Sequence, residues 1–245
     1  LKLIQIPHPS LSEQSAIANT LSDTDALISK FEKLIEKKKN IKQGVMQELL
    51  TGKRRLSKFS GKWEAKTIED LEKTGDIILS RGKVISKKDI ENFSGTYPIY
   101  SSSIHNNGEF GRYGLYMFDE ELISWSVDGG GNFFYRPKHR FSVTNVCGFM
   151  RVNTSKLFYQ FIAMQLQLMH SRLFFDYTMK AHPSVIRKAY TLLLPDIKEQ
   201  VAIATILIDM DTEIEKLESQ LTKYQNIKQG MMQTLLTGKI RLLTK

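Results

Sequence analysis

One stretch of this sequence occurs twice, and the repetition limits the fold more than any other feature. Asn40-Ile41-Lys42-Gln43-Gly44, Met46-Gln47 and Leu49-Leu50-Thr51-Gly52-Lys53 return as Asn226-Ile227-Lys228-Gln229-Gly230, Met232-Gln233 and Leu235-Leu236-Thr237-Gly238-Lys239. Pairing Pro9 with Pro195 and continuing without a gap to Leu56 with Leu242 makes roughly 27 of 48 pairs identical. The chain is therefore one unit, an unrelated middle, and the same unit again.

Each copy reads as a long helix. Apolar positions run Ile17, Leu21, Ile28, Phe31, Ile35, Val45 and Leu49 in the first, and Ile203, Leu207, Met210, Ile214, Leu217, Leu221, Tyr224, Met231 and Leu235 in the second. Apart from gaps the steps alternate four and three, which is a coiled-coil seam. After Pro9, Ser10 can cap free backbone N–H groups while Glu13 reaches back to it in a capping box; Asp196 and Glu199 do the same after Pro195. Gly52 and Gly238 are natural helix ends, able to adopt the left-handed conformation. A helix of ~40 residues is ~60 Å long, too long to bury its stripe alone in water. The cheapest partner is the other copy. One helix leads into the middle and the other leaves it, so the pair is expected to run antiparallel. Gly44 and Gly230 each cost about 1 kcal/mol relative to alanine, and mark either a close helix approach or a partner's footprint. Lys37, Lys38 and Lys39, with Lys30, Lys33 and Lys42, read as a solvated helix face rather than a DNA contact.

The middle changes pattern. Thr67-Ile68-Glu69-Asp70-Leu71 reads as a short capped helix. Ile77–Leu79, Tyr97–Tyr100, Leu115–Phe118, Leu122–Trp125, Asn132–Tyr135 and Gly148–Val152 read as strands broken by glycines. Phe158 to Phe175 has helical apolar spacing, and Arg187 to Leu194 reads as a returning strand that matches Leu3 to Ile6. That match predicts that the chain starts inside a longer protein, at the tail of a preceding domain of the same kind.

A formal net charge of +9 and a pI near 9.4 favour an anionic partner, with nucleic acid the leading candidate. Cys147 is the sole cysteine, so no internal disulfide forms, and a reducing cytoplasmic home is expected. No apolar run spans a bilayer. Candidate DNA-contacting groups lie in the loops: Ser101, Ser102, Ser103, His105, Asn106, Asn107, Gly130, Asn132, Arg136, Lys138, Arg140, Asn145, Lys180 and His182. Arginine matches guanine and asparagine matches adenine in the major groove, while lysine and backbone N–H groups hold phosphates. Gly129-Gly130-Gly131 could admit a phosphate to the backbone, although a plain hairpin turn explains it as well. Tyr97, Tyr100, Trp125 and Phe149 read as core.

Catalytic patterns are missing from the sequence. No glycine-rich fingerprint joins a strand to a helix, and Gly108, Gly111 and Gly114 fall among strands and turns. His105, His139, His170 and His182 form no triad, no His/Cys cluster has zinc spacing, and no Asn-Pro-Pro-Tyr motif of adenine methylation occurs. Pro195-Asp196 is not followed by the Asp/Glu-x-Lys of a nuclease. A binding module fits better than an enzyme.

These residues resemble the specificity subunit of type I restriction–modification enzymes. Lys-Gln-Gly-(Val/Met)-Met-Gln-x-Leu-Leu-Thr-Gly-Lys at 42–53 and 228–239 is similar to that family's paired spacer helices. Pro-x-x-x-Glu-Gln at 9–14 and 195–200 resembles the entry into each. Tyr97–Ser102, Asn106–Gly108, Trp125–Gly129 and Val143–Gly148 are similar to its target recognition domains. The resemblance implies an α+β fold: a β-rich mixed recognition domain (57–190) flanked by two long helices in an antiparallel coiled coil. Residues 1–56 would then hold the end of a preceding recognition domain and the first spacer helix, and 191–245 the second. It implies a non-catalytic subunit that reads double-stranded DNA at a bipartite site. Its partners would be modification subunits using S-adenosylmethionine and a restriction subunit using ATP and Mg, with no cofactor of its own. With one recognition domain, the chain reads either as a carboxy-terminal half or as a half-subunit that homodimerises. The competing readings are a free-standing DNA methyltransferase or nuclease fragment, and a structural coiled-coil scaffold.

Overall fold

The computed structural model describes residues 8–102, 106–128, 132–171 and 180–242. The expected strand at Leu3–Ile6 lies outside them. Backbone contacts divide the chain into two compact units, one made of Leu1–Val45 with Leu207–Lys245 and the other of Met46–Ile206. Two helices of equal length, α1 (Leu11–Leu49) and an equivalent C-terminal helix (Ile197–Leu235), contribute to both.

In the first unit the two helices run antiparallel. Asp25 pairs with Lys228, Lys38 with Glu213 at 2.7 Å, Lys39 with Glu218 at 2.6 Å and Lys42 with Asp211, so one number rises as the other falls. The Asp25–Lys228 and Lys42–Asp211 pairs join the same two repeat positions in opposite sense. Phe31 stacks on Tyr224 at 5.3 Å. Ile17, Ile35, Ile214 and Leu235 are buried, whereas Leu21, Leu217 and Leu221 are half-covered, as two helices sharing one seam require. Part of the lysine run therefore faces acids on the other helix rather than solvent alone. Each such exposed pair contributes about 0–1 kcal/mol, so their effect is mainly on register. A Cβ at Gly44 or Gly230 would meet nothing within 4 Å, which excludes close helix approach among the described residues.

Helix entry differs from expectation. Ser10 Oγ accepts from the Glu13 N–H at 3.3 Å, and Asp196 Oδ1 accepts from the N–H groups of Lys198 and Glu199 at 2.9 and 3.2 Å. The two glutamates do not complete capping boxes. Each takes an arginine instead, because two charge-assisted hydrogen bonds in fork geometry outweigh one bond from a backbone N–H.

The second unit holds two sheets. Strand β1 (Glu64–Thr67) leads into α2 (Ile68–Lys73), where Thr67 and Asp70 form the capping box that the sequence predicts. Then come β2 (Ile77–Arg81), α3 (Lys87–Asn92), β3 (Tyr97–Tyr100), a 3-10 turn at Asn106–Gly108, β4 (Glu109–Tyr113), β5 (Phe118–Ser126), β6 (Phe133–Val143) and β7 (Cys147–Val152). The chain continues through α4 (Tyr159–His170), α5 (Pro183–Ala189) and β8 (Thr191–Leu194) into α6 (Ile197–Leu235). The six-stranded sheet has the order β2-β7-β5-β6-β3-β4; β3 and β6 run parallel, the other neighbours antiparallel. A separate antiparallel pair, β1 with β8, sets Glu64 opposite Leu194. Between them lies a core of Ile123, Trp125, Met150, Phe161, Leu166 and Tyr190.

Two strand expectations need correction. Leu115–Phe118 contributes only Phe118; Leu115 and Tyr116 are exposed in a turn, and the Tyr116 ring meets Tyr97 at 5.3 Å. Arg187–Leu194 splits, with strand only from Thr191. Pro183 fixes the backbone for a helical first turn, so α5 forms and its β-branched Ile186 is buried. The helix expected to Phe175 is seen to His170; 172–175 lie outside the described residues.

Candidate nucleic-acid interface

The Asn106–Gly108 turn meets β6, where Arg136, Lys138 and Arg140, expected in a loop, lie on a strand instead. A bulge in the β5–β6 pairing between Glu120 and Leu122 breaks the alternation along β6, so Arg136 and His139 both reach the ring of Tyr100. With Asn106, Asn107 and Gln167 they line a cavity of about 610 Å³.

Arg136 organises this cavity. Only 4% of it is exposed. Its Nε donates to Ser124 Oγ at 2.9 Å and its Nη2 to the Asn107 carbonyl at 2.6 Å, while the guanidinium lies 3.6 Å from the centre of the Tyr100 ring and 4.7 Å from that of Phe134. Burial pulls its pKa down to about 10, so it remains a cation at neutral pH. Among the described residues no carboxylate forms a salt bridge to it. The charge is held by ring faces and oxygen dipoles, an arrangement arginine tolerates better than lysine because its charge is spread over a weakly hydrated plane.

The Arg136 bond holds a turn with an uncommon backbone. Asn106 and Asn107 both have positive φ, 48° and 51°. Asparagine accepts this conformation more readily than other non-glycine residues. Both are exposed. His139 Nδ1 faces the Pro137 carbonyl at 2.6 Å and Nε2 faces the Tyr100 hydroxyl at 3.1 Å, which fits a neutral ring accepting from the tyrosine. Burial raises the Tyr100 pKa.

The other predicted residues sit apart from this turn in varying degree. Lys138 and Arg140 are exposed on β6; Arg140 donates to Tyr97 Oη at 3.0 Å and lies over Tyr116. Ser101 Oγ accepts from Thr144 Oγ1, the Ser102 carbonyl accepts from Ser126 Oγ, and the Asn132 carbonyl accepts from the Ser126 N–H, so these brace loops. Asn145 is exposed, its carbonyl bound by Arg81. Lys180 pairs with Asp128 at 3.1 Å, and His182 opens α5. Ser103, His105 and Gly130 lie outside the described residues. Tyr100 is core, as expected, and its ring also backs Arg136 and His139; that second role depends on the β5–β6 bulge, for which the sequence carries no local signal.

Groups that could do chemistry are occupied otherwise. Burial pushes the Cys147 thiol up to about 12, far from a reactive thiolate. His170 Nδ1 lies 3.0 Å from the Tyr190 hydroxyl inside the core. Among the described residues no group of three His, Cys, Asp or Glu side chains is placed to hold a metal, and no helix is long and apolar enough to cross a membrane.

A polar, cation-braced recess on a mixed sheet, with a paired-helix repeat in a separate unit, defines a recognition module. The model of the type I restriction modification DNA specificity domain matches residues 60–224, and the chain belongs to that family. A Mycoplasma pneumoniae protein named as a type I specificity subunit is 33% identical over 151 residues, covering 60% of this chain and 41% of that protein. Another from the same organism, named as the N-terminus of such a subunit, is 42% identical over 92 residues, covering 37% of this chain and 49% of it. The match thus spans about half or less of these relatives. The S subunit of a type I restriction-modification system from M. genitalium superposes with a TM-score of 0.66 at 17% identity, covering 93% of this chain and 61% of that one, which is a likeness of fold.

Proposed function

We propose that this chain is the non-catalytic, sequence-reading component of a type I restriction–modification complex, with residues 57–190 as its target recognition domain on double-stranded DNA. The observation that carries this reading is the exposed Asn106–Asn107 turn, held by the buried Arg136 through the Asn107 carbonyl. Asparagine amides can both donate to and accept from an adenine edge, a contact that discriminates by about 1–3 kcal/mol. Exposed lysines elsewhere on the domain supply phosphate attraction without sequence content. Arg136 holds the turn and adds positive potential; Lys138, Arg140, Asn145, Lys180, His182, Ser101, Ser102 and Asn132 belong to the surrounding surface.

In this reading the helices of 1–56 and 191–245 separate and dock rather than read. The chain positions modification subunits, which use S-adenosylmethionine, and a restriction subunit, which uses ATP and Mg, on a bipartite site in the cytoplasm. A chain that homodimerises reads a twofold-symmetric target. Co-expression with its modification subunit, followed by mapping of methylated adenines, is the test. Exchanging 57–190 for another recognition domain is expected to change the methylated sequence; an unchanged sequence would defeat the reading.

A further inference from the structure

The Asn106–Gly108 turn has a counterpart across the end of β3. This is the turn between β6 and β7, Thr144 to Val146, and its backbone is bonded from several sides. The Thr144 N–H donates to the Tyr100 carbonyl at 2.9 Å and its Oγ1 to Ser101 Oγ at 3.1 Å, while the Val146 carbonyl accepts from the Val127 N–H at 2.9 Å. For the first turn, the Ser101 N–H donates to the Gly108 carbonyl at 2.8 Å. Both turns therefore hang on one dipeptide, Tyr100-Ser101.

The chain leaving β2 straps the second turn down. Arg81 Nη2 donates to the Asn145 carbonyl, as Arg136 Nη2 does to that of Asn107. The Gly82 N–H donates to the Cys147 carbonyl and the Lys83 N–H to the Val143 carbonyl, each at 3.1 Å. The crossing is so close that a Cβ on Gly82 would stand 2.0 Å from the Val143 oxygen, so only glycine fits. The Asn145 side chain takes no part in this. It is exposed, and among the described residues it forms no hydrogen bond. A free amide on a fixed backbone loses little entropy on meeting a ligand. The strap is also basic: Arg81, Lys83, Lys87 and Lys88 are exposed, and among the described residues none of the four forms a salt bridge.

The chemistry of DNA divides these groups. An asparagine amide matches the N6 and N7 edge of adenine, whereas unpaired lysines hold phosphates and carry no sequence content. We propose that Asn145 is a second base-reading residue of this domain, that Lys83, Lys87 and Lys88 hold the phosphates beside it, and that Arg81 is its positioning residue. The proposal rests on the recognition reading and goes beyond it: the Asn106–Asn107 turn and the Asn145 turn read different base pairs of one target.

Mapping of methylated adenines after co-expression with the modification subunit tests this. Asn145→Ala is expected to relax one base pair of the methylated sequence, with discrimination there falling about 10- to 100-fold, and to leave the others intact. Asn107→Ala is expected to relax a different one. Arg81→Ala should relax the base pair that Asn145→Ala relaxes, which a merely structural role would not do. Lys83→Gln, Lys87→Gln and Lys88→Gln together should weaken binding of the methyltransferase complex to target and non-target duplexes alike. They should also flatten the slope of log affinity against log salt by about 2.7. A methylated sequence unchanged by Asn145→Ala overturns the proposal, as does relaxation confined to the base pair that Asn107→Ala relaxes, or an unchanged salt slope. If Asn145→Ala abolishes methylation, binding of the Asn145→Ser complex to duplexes varied one base pair at a time decides by the same criterion. Exchange of 57–190 without a change in methylated sequence defeats the recognition reading itself. A changed sequence in that exchange, with no effect of Asn145→Ala, defeats this proposal alone.

Discussion

The clasps of Glu199 and Glu13 come from one repeated sequence, and the difference between them lies in residues outside the repeat. Glu199 accepts from Arg55 and from the Trp63 indole of the middle segment; Glu13 accepts from Arg241 and from the Leu242 backbone. Both carboxylates are thus buried, but the Arg55 side chain is 28% exposed and that of Arg241 61%. The lesson concerns what a repeat encodes: the clasp and the helix end are written in it, but the cover over the arginine is contributed by a neighbour.

Trp63→Ala tests that asymmetry hardest. It empties the space between Gly52, Phe161 and the Arg55–Glu199 pair and is expected to cost about 3 kcal/mol in urea unfolding; a loss below about 1 kcal/mol would mean that the ring covers little. Next is Glu199→Gln, which strips a buried carboxylate from a partly exposed arginine and should cost about 2 kcal/mol, while Glu13→Gln costs visibly less in the same thermal scan. Equal losses would erase the distinction between the clasps. Gly52→Ala should cost more than about 1 kcal/mol, since it leaves alanine in a left-handed backbone and sets its Cβ 3.2 Å from the Trp63 ring.

Acid separates the partners of Glu13 from the rest. Hydrogen bonds from Arg241 hold the Glu13 pKa below its ordinary 4.5. A depressed folded-state pKa gives stability that is complete above 4.5 and lost as pH falls through the lowered value. Melting curves of the parent and Glu13→Gln should therefore differ at pH 6 and converge towards pH 3. The smallest effect is a gain: Gly44→Ala and Gly230→Ala fill open space in helix interiors and should each add up to about 1 kcal/mol. Loss of partner docking without loss of stability would tie these glycines to a partner's footprint.

What could be read from the sequence follows the range of the forces involved. Local signals carry far: the heptad seam marks both helices, Thr67–Asp70 caps α2, and Tyr97–Tyr100 is bounded to the residue, while the antiparallel sense follows from chain order. Asn106, Asn107 and Arg136, singled out by residue type, do come together. Features made by distant residues were invisible. The Glu13–Arg241 bond joins positions 228 apart, and nothing near Glu13 distinguishes a capping glutamate from a clasped one. The β5–β6 bulge that turns His139 towards Tyr100 depends on two strands at once. Pro183 is the local signal for α5, which runs to Ala189 and takes the first residues of the strand expected from Arg187.

The reversed ion pairs of the helix seam carry a consequence for assembly. Lys38–Glu213 and Lys39–Glu218 have no reversed counterpart, but Asp25–Lys228 and Lys42–Asp211 are one contact made twice, so each helix carries one patch that fits the other in either role. Such a patch does not distinguish its own chain's helix from a neighbour's. Selection between them falls to tethering: the helix already attached is present at millimolar effective concentration, well above that of free neighbours in dilute solution.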